Sequence, residues 1–331
     1  MMQIVLIGVG AGAASAFLFA SIASGSPLSF LLANFAQLPI LIAAIGWTHF
    51  AGLTALLVAS AGLTVILGGW VGFAFLIGIA LPAWWMGYLA LLARPAPGAE
   101  PGTMTMEWYP VGRIVVWTAL AASVVVLVSM LRYGLDAANV QAGLRRELDR
   151  AMRFLAGTGR DGPLRIPGMK DPERLIDILV LVVPPMKAMA LTVTSLINLW
   201  LAALVVKVSG RLRRPWPPIA QMSFPSFAPI VLAVAVAATF LPELIGLIGG
   251  VFTASLLLAY ALLGFAVVHA ITMGVTGRGF MLTGLYVTVV LFGWPILLMT
   301  FLGLIETMIA LRARVAARRR PPAPPGSINR P

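Results

Sequence analysis

A chain of 331 residues with 60% hydrophobic and only 10% charged side chains cannot cover a water-soluble surface, where about a quarter of residues are ordinarily charged. Asp, Glu, Lys and Arg are absent from residues 1–93, and residues 215–305 hold only Glu243 and Arg278. This predicts an all-α polytopic transmembrane bundle, while the absence of cysteine excludes disulfides, thiolate metal centres and cysteine nucleophiles.

A helical span needs about 20 apolar residues, and the first candidates are 4–23, 29–47, 50–69, 71–93 and 112–131. Their joints carry turn residues: Ser24-Gly25-Ser26-Pro27, Trp47-Thr48-His49 and Gly68-Gly69. The loop from Arg94 to Pro110 is rich in Pro and Gly and reads as a flexible connector. Leu135, Val140, Leu144, Leu148, Met152 and Leu155 then recur at helical spacing among charged residues, with Arg145, Asp149 and Arg153 spaced to pair. That pattern predicts an amphipathic helix lying in the membrane interface. Gly157 to Gly168 breaks it, and Asp171-Pro172 reads as a cap followed by proline at the first helical position.

Pro184-Pro185 predicts a kink ahead of a span at 188–206. Three apolar stretches follow, 226–242, 246–271 and 281–305, the first short, interrupted by Pro229 and expected to be re-entrant or incompletely crossing. The chain closes on arginines and a proline-rich tail expected to be disordered beyond Arg320. The segments expected are a five-span N-terminal bundle (1–132), an interfacial connector (133–187), C-terminal spans (188–311) and a basic tail (312–331). About eight crossings with both ends cytoplasmic place residues 94–111 and the Lys207–Arg214 cluster inside.

The net charge of +12 is gathered beside spans: 14 of 23 basic residues lie between Arg132 and Arg214, and five between Arg312 and Arg320. Lys207, Arg211, Arg213, Arg214, Arg318, Arg319 and Arg320 are expected to set topology and meet anionic lipid, and no nucleic-acid partner is expected. The Gly8-x-Gly10-x-x-Ala13 run lies inside an apolar span and reads as helix packing. No phosphate-binding loop occurs, so ATP-driven work would need a partner chain. His49 and His269 are expected to be satisfied interfacial residues. No cofactor, metal site or catalytic residue is expected, because paired acids, H-E-x-x-H and G-x-S-x-G are all missing. The chain is therefore not expected to be an enzyme.

Two groups remain as candidate sites. Gly8, Gly12, Ala16, Ala20 and Ser24 recur every fourth position, a groove for close helix approach. It serves either packing within the chain or docking of a membrane coupling subunit or a second copy. Asn34 and Gln37 near Pro39 are expected to form a polar, kinked face turned inward, and Trp84, Trp85 and Tyr88 either anchor a helix end or, with those amides, line a pocket for a small neutral or weakly polar ligand. Glu243 and Glu306 sit near span ends, Glu306 within reach of Arg312 and Arg314, and neither reads as a proton relay.

The Ala16-Phe17-Leu18-Phe19-Ala20 step resembles the first span of S-components of energy-coupling-factor transporters. That resemblance covers the first five or six spans and implies a substrate-capturing subunit energised through a shared transmembrane partner. Over most of its length the chain resembles the YybS-like family of bacterial multi-span proteins, on Ile7-Gly8-Val9-Gly10-Ala11-Gly12-Ala13-Ala14-Ser15-Ala16, Leu38-Pro39-Ile40 and Gly264-Phe265-Ala266-Val267-Val268-His269. This implies the bacterial inner membrane. The function expected is a substrate-binding or transport component, with a scaffold or assembly factor recruiting cytoplasmic or lipid partners as the alternative.

Overall fold

Lipid offers no partner to a bare peptide group, so an apolar chain satisfies its backbone within helices. The computed structural model describes residues 1–96, 106–157 and 171–319, for Arg319 the backbone only. Among them seven segments are long and apolar enough to cross a membrane: Met2–Ser24, Pro27–Gly46, His49–Leu67, Gly69–Leu91, Val111–Tyr133, Pro172–Val208 and Glu243–Ile271. An eighth is reached only if Pro295–Ile309 and Leu311–Arg318, bent by 75°, form one span. The helix Ala228–Thr239 is too short to qualify, in keeping with an incomplete crossing at 226–242.

Two compact units divide the chain, Met1–Trp216 with Pro225–Leu257, and Pro217–Phe224 with Leu258–Pro331. In the first unit, α1 (Met2–Ala20) packs on α4 (His49–Leu67). Gly8 lies against Ala51 and Thr54, and Gly12 against Ala55 and Val58, so the two helices run parallel. Between them the chain returns through α2 (Pro27–Asn34) and α3 (Gln37–Gly46), a span in two pieces. The next span is also composite: α5 (Gly69–Phe75), a π-helical turn (Leu76–Ala80) and α6 (Leu81–Leu91). Pro82, near the start of α6, has no N–H to give the carbonyl four residues back, and the widened turn takes up that fault. Ile40, Leu41, Ile45, Leu56, Leu63, Phe75 and Met86 form the buried centre of this bundle.

Beyond α6 the expected flexible connector is closed at its base. Residues Ala93–Pro95 and Met106–Trp108 pair as antiparallel strands β1 and β2, with Arg94 bonded to Glu107 at 2.8 Å. Residues 97–105 lie outside the described residues. The following helix, α7 (Val111–Met130), leads to α8 (Ala137–Leu155), capped by Asp136, and then to α9 (Pro172–Val208), capped by Asp171.

The amphipathic helix corrects two expectations. Its stripe does not simply face lipid: Val140 and Leu144 are buried against Met130, Ile176 and Val180, and Gly143 packs under the ring of Tyr133. Arg145 pairs with Asp177 and Glu173 of α9 rather than with Asp149, while Asp149 does pair with Arg153. The break expected at Gly157 to Gly168 falls largely outside the described residues.

α9 is one helix of 37 residues that runs through Pro184 and Pro185 without a break, and through the segment boundary expected at 187. Pro184 is buried and the Pro185 ring lies 3.6 Å from the Cβ position of Gly250, so neighbouring packing supports the helix where hydrogen bonds are lost. α10 (Ala228–Thr239) follows, then α11 (Glu243–Ile271).

In the second unit the expected span 281–305 is broken. α12 (Arg278–Phe292) ends at Gly293, whose φ of 70° is left-handed, and Pro295 opens α13 (Pro295–Ile309). A glycine free to take positive φ followed by a proline at the first helical position is a stop and a start in three residues. α14 (Leu311–Arg319) turns away at Ala310, φ 49°. Glu306 and Arg312 form a mostly buried ion pair at 2.8 Å. The tail from Arg320 lies outside the described residues.

Candidate functional site: an interrupted span lined by amides

Pro39 lacks an N–H, so the carbonyl of Phe35 loses its usual helical donor. It takes the N–H of Leu38 instead, at 2.9 Å, a bond one residue tighter than the α-helical one. The carbonyl of Asn34, which would otherwise receive Leu38, is thereby released. Asn198 Nδ2 on α9 donates to it at 2.8 Å, and Ser15 Oγ on α1 donates to the carbonyl of Ala36 at 2.5 Å. The break lies eight residues into a segment of 20 that is long and apolar enough to cross a membrane.

Asn198 is 1% exposed and its orientation is fixed chemically. Its second Nδ2 proton goes to the carbonyl of Thr194 at 2.8 Å, and with two carbonyl partners the nitrogen must be where it is. Its Oδ1 is consequently held facing the interior, buried and without a donor. Gln37, 3% exposed, likewise has a buried Oε1 with no partner. Such groups ordinarily find hydrogen bonds, because leaving one unmet costs about 1–3 kcal/mol.

Polar residues continue along the buried face of α9 as Thr192, Ser195 and Asn198. Ser195 lines a cavity of about 10 Å³ with Pro82, Met86, Thr118, Ala121, Ala122, Val125 and Leu191. That is about the space of one water. Thr118 Oγ1 is bonded to Ile114 O at 2.8 Å, and Ser123 meets Ser255 at 2.5 Å between α7 and α11. The seam is polar but uncharged: no Asp, Glu, Lys or Arg occurs in residues 1–93 or 188–206.

The predicted residues are distributed unevenly around it. Asn34 contributes its backbone, not its side chain, which is exposed and bonded to Phe30 O at 2.7 Å. Trp84, Trp85 and Tyr88 form a ring cluster on α6; its hydrogen bond and its ring contact outside the cluster go to α4, and Trp84 and Tyr88 also pack against the buried core of the bundle. Trp84 Nε1 donates to His49 O at 3.1 Å, and the Tyr88 ring meets that of His49 at 5.4 Å. Gly8 and Gly12 are buried under α4, while Ala16 and Ala20 are partly buried against the core of the same chain. Ser24 is exposed beyond α1, near Ser26.

The basic cluster after α9 is partly turned inward. Arg214 donates to Ala90 O at 3.1 Å and Tyr109 O at 3.3 Å, closing the carbonyl end of α6, and burial lowers its pKa from the usual arginine value. Arg211 stacks on Trp47 at 4.3 Å and reaches Gly46 O at 3.5 Å, the end of α3. Lys207 sits over Trp216 at 4.6 Å, and Arg213 is exposed. Arg318 is exposed, whereas the side chain of Arg319 and all of Arg320 lie outside the described residues.

Asn198, Ser195 and Ser15 were not singled out from sequence. The threefold spacing of Thr192, Ser195 and Asn198 within an apolar span was the signal available.

The sequence model of one family, described as "Predicted membrane protein (DUF2232)", matches residues 13–307. No curated protein and no solved structure matches the chain. The matched description speaks of a membrane protein and of nothing finer.

Proposed function

The chain belongs to the DUF2232 family of predicted membrane proteins, and from that premise we propose that it is a solute-binding component of a membrane transport system, with the interrupted second span as its binding element. The observation that carries the reading is the pair of enclosed, unpartnered oxygens, Gln37 Oε1 and Asn198 Oδ1, on elements joined through the released Asn34 carbonyl. Non-helical backbone at membrane depth is tolerated where it lines a site, and interrupted helices are a recurrent way of building one. Acceptor oxygens without a nearby charge suit a small uncharged or weakly polar solute that brings N–H or O–H groups. A partner chain would supply the energy, since the sequence has no phosphate-binding loop.

The test is extraction and mass spectrometry of small molecules carried by the chain in mild detergent, for the wild type and for Gln37→Leu with Asn198→Leu. A solute held by the wild type and lost from the double variant supports the reading. No solute, together with a higher melting temperature for the variant, overturns it, because the amides would then contribute only an unmet desolvation cost. The scaffold reading would gain from that result, and the exposed Arg146 and Arg150 of α8 offer it a contact surface.

A further inference from the structure

The second unit holds an arginine whose charge no described residue balances. Arg278 is the only charged residue between Glu243 and Glu306, and among the described residues it forms no ion pair. Its Nη2 reaches only Nδ1 and the carbonyl of His269, both at a long 3.4 Å, and its Nε is buried without a partner. An arginine can only donate, so Nδ1 of His269 accepts and the ring proton sits on Nε2. Nε2 therefore donates to the Tyr286 hydroxyl at 2.9 Å. That hydroxyl has its own proton left to give, and Tyr286 is 41% exposed with its ring stacked on Phe265. A cation and a free donor thus stand together, and among the described residues no acidic group pairs with either.

Their position matters as much as their chemistry. His269 lies two residues from the end of α11, a helix long and apolar enough to cross a membrane, and Arg278 opens α12, so both belong at the edge of an apolar layer that α11 would span. Lipid phosphates lie at that depth. No residue of α12 is buried, and Phe280 at 87% and Val290 at 82% exposure offer an apolar face along it.

We propose that Arg278 and Tyr286 hold the phosphate of an anionic phospholipid whose acyl chains lie along α12, with His269 positioning both groups. The assignment is independent of the amide site in the first unit.

Native mass spectrometry of the full chain tests it, by titration with phosphatidylglycerol, phosphatidylcholine or inorganic phosphate. One surface charge predicts about a fivefold preference for phosphatidylglycerol over phosphatidylcholine. Arg278→Gln should abolish the preference and Tyr286→Phe should weaken it. Arg174→Gln, which removes an exposed cation elsewhere, should leave it intact. Because Tyr286→Phe removes a single oxygen, it keeps the test decisive if Arg278→Gln fails to fold. Equal binding of the two lipids by the wild type, or a preference untouched by both substitutions, overturns the proposal. Displacement of phosphatidylglycerol by inorganic phosphate would overturn the lipid as its source.

Discussion

At Gly12 an added methyl would lie 2.6 Å from the Ala55 carbonyl oxygen and 2.9 Å from Val58 Cβ, whereas at Gly10 nothing stands within 4 Å. Identical substitutions two residues apart should therefore act in opposite directions. Gly12→Ala forces α1 away from α4 and should cost about 1–3 kcal/mol, read as a lower melting temperature in detergent. Gly10→Ala meets open space and removes glycine's entropic penalty, so the melting temperature should hold or rise, by up to about 1 kcal/mol of stability. Equal effects at both positions would mean that α4 does not occupy the small-residue face. Arg214 makes a comparable residue-scale case. Arg214→Met strips the donors from Ala90 O and Tyr109 O and should destabilise by about 1–3 kcal/mol. Arg214→Lys should recover part of that loss, which a purely lipid-facing arginine would not show.

Elements were legible to different depths. Pro39 announced a fault in the second span, yet which polar group it would turn inward could not be read. A tightened bond from Leu38 to Phe35 rotates the helix face, so the Asn34 side chain ends outside and its carbonyl inside. The π turn before Pro82 had no signal beyond the proline itself. The apolar stripe of α8 was plain in its periodicity, but a stripe does not say what covers it. Here a good part is covered by protein, and this has a measurable consequence. Leu144, 5% exposed, packs on Met130, Ile176 and Val180, whereas Leu155 is 78% exposed. Leu144→Ala should cost about 2–5 kcal/mol by thermal unfolding, and Leu155→Ala should leave the melting temperature near wild type. If both behave alike, α8 rests on lipid as its sequence first suggested.

At the scale of the molecule, the bond pattern of the first unit sorts its loops into two ends and changes the orientation argument. Arg214 joins the close of α6 to the segment before α7, and Arg211 the close of α3, so Arg94, Arg113, Lys207, Arg211, Arg213 and Arg214 gather at one end. Ser24 and the charged helix pair α8–α9 belong to the other, because α1 runs parallel to α4 and α8 packs on the far end of α7. The sequence pattern of residues 94–111, residues 207–214 and the arginine tail set both ends inside. Counted along the sequence, the stretch from Arg132 to Arg174 carries nine Lys and Arg, of which Arg160, Arg165 and Lys170 lie outside the described residues, against six at the opposite end. Acidic neighbours count for little in that rule. Two of the six, Arg211 and Arg214, are also folded onto helix ends rather than free to face lipid. The balance now predicts that α8 and the start of α9 face the cytoplasm and that Arg213 faces out. The chain contains no cysteine, so Ser24→Cys, Arg174→Cys and Arg213→Cys each create a single thiol at an exposed position. A membrane-impermeant maleimide added to intact cells should label Arg213→Cys alone, and all three after lysis. Labelling of Ser24→Cys and Arg174→Cys alone in intact cells would restore the opposite orientation. Labelling of Ser24→Cys with Arg213→Cys but not Arg174→Cys would break the shared end that the packing of the first unit requires.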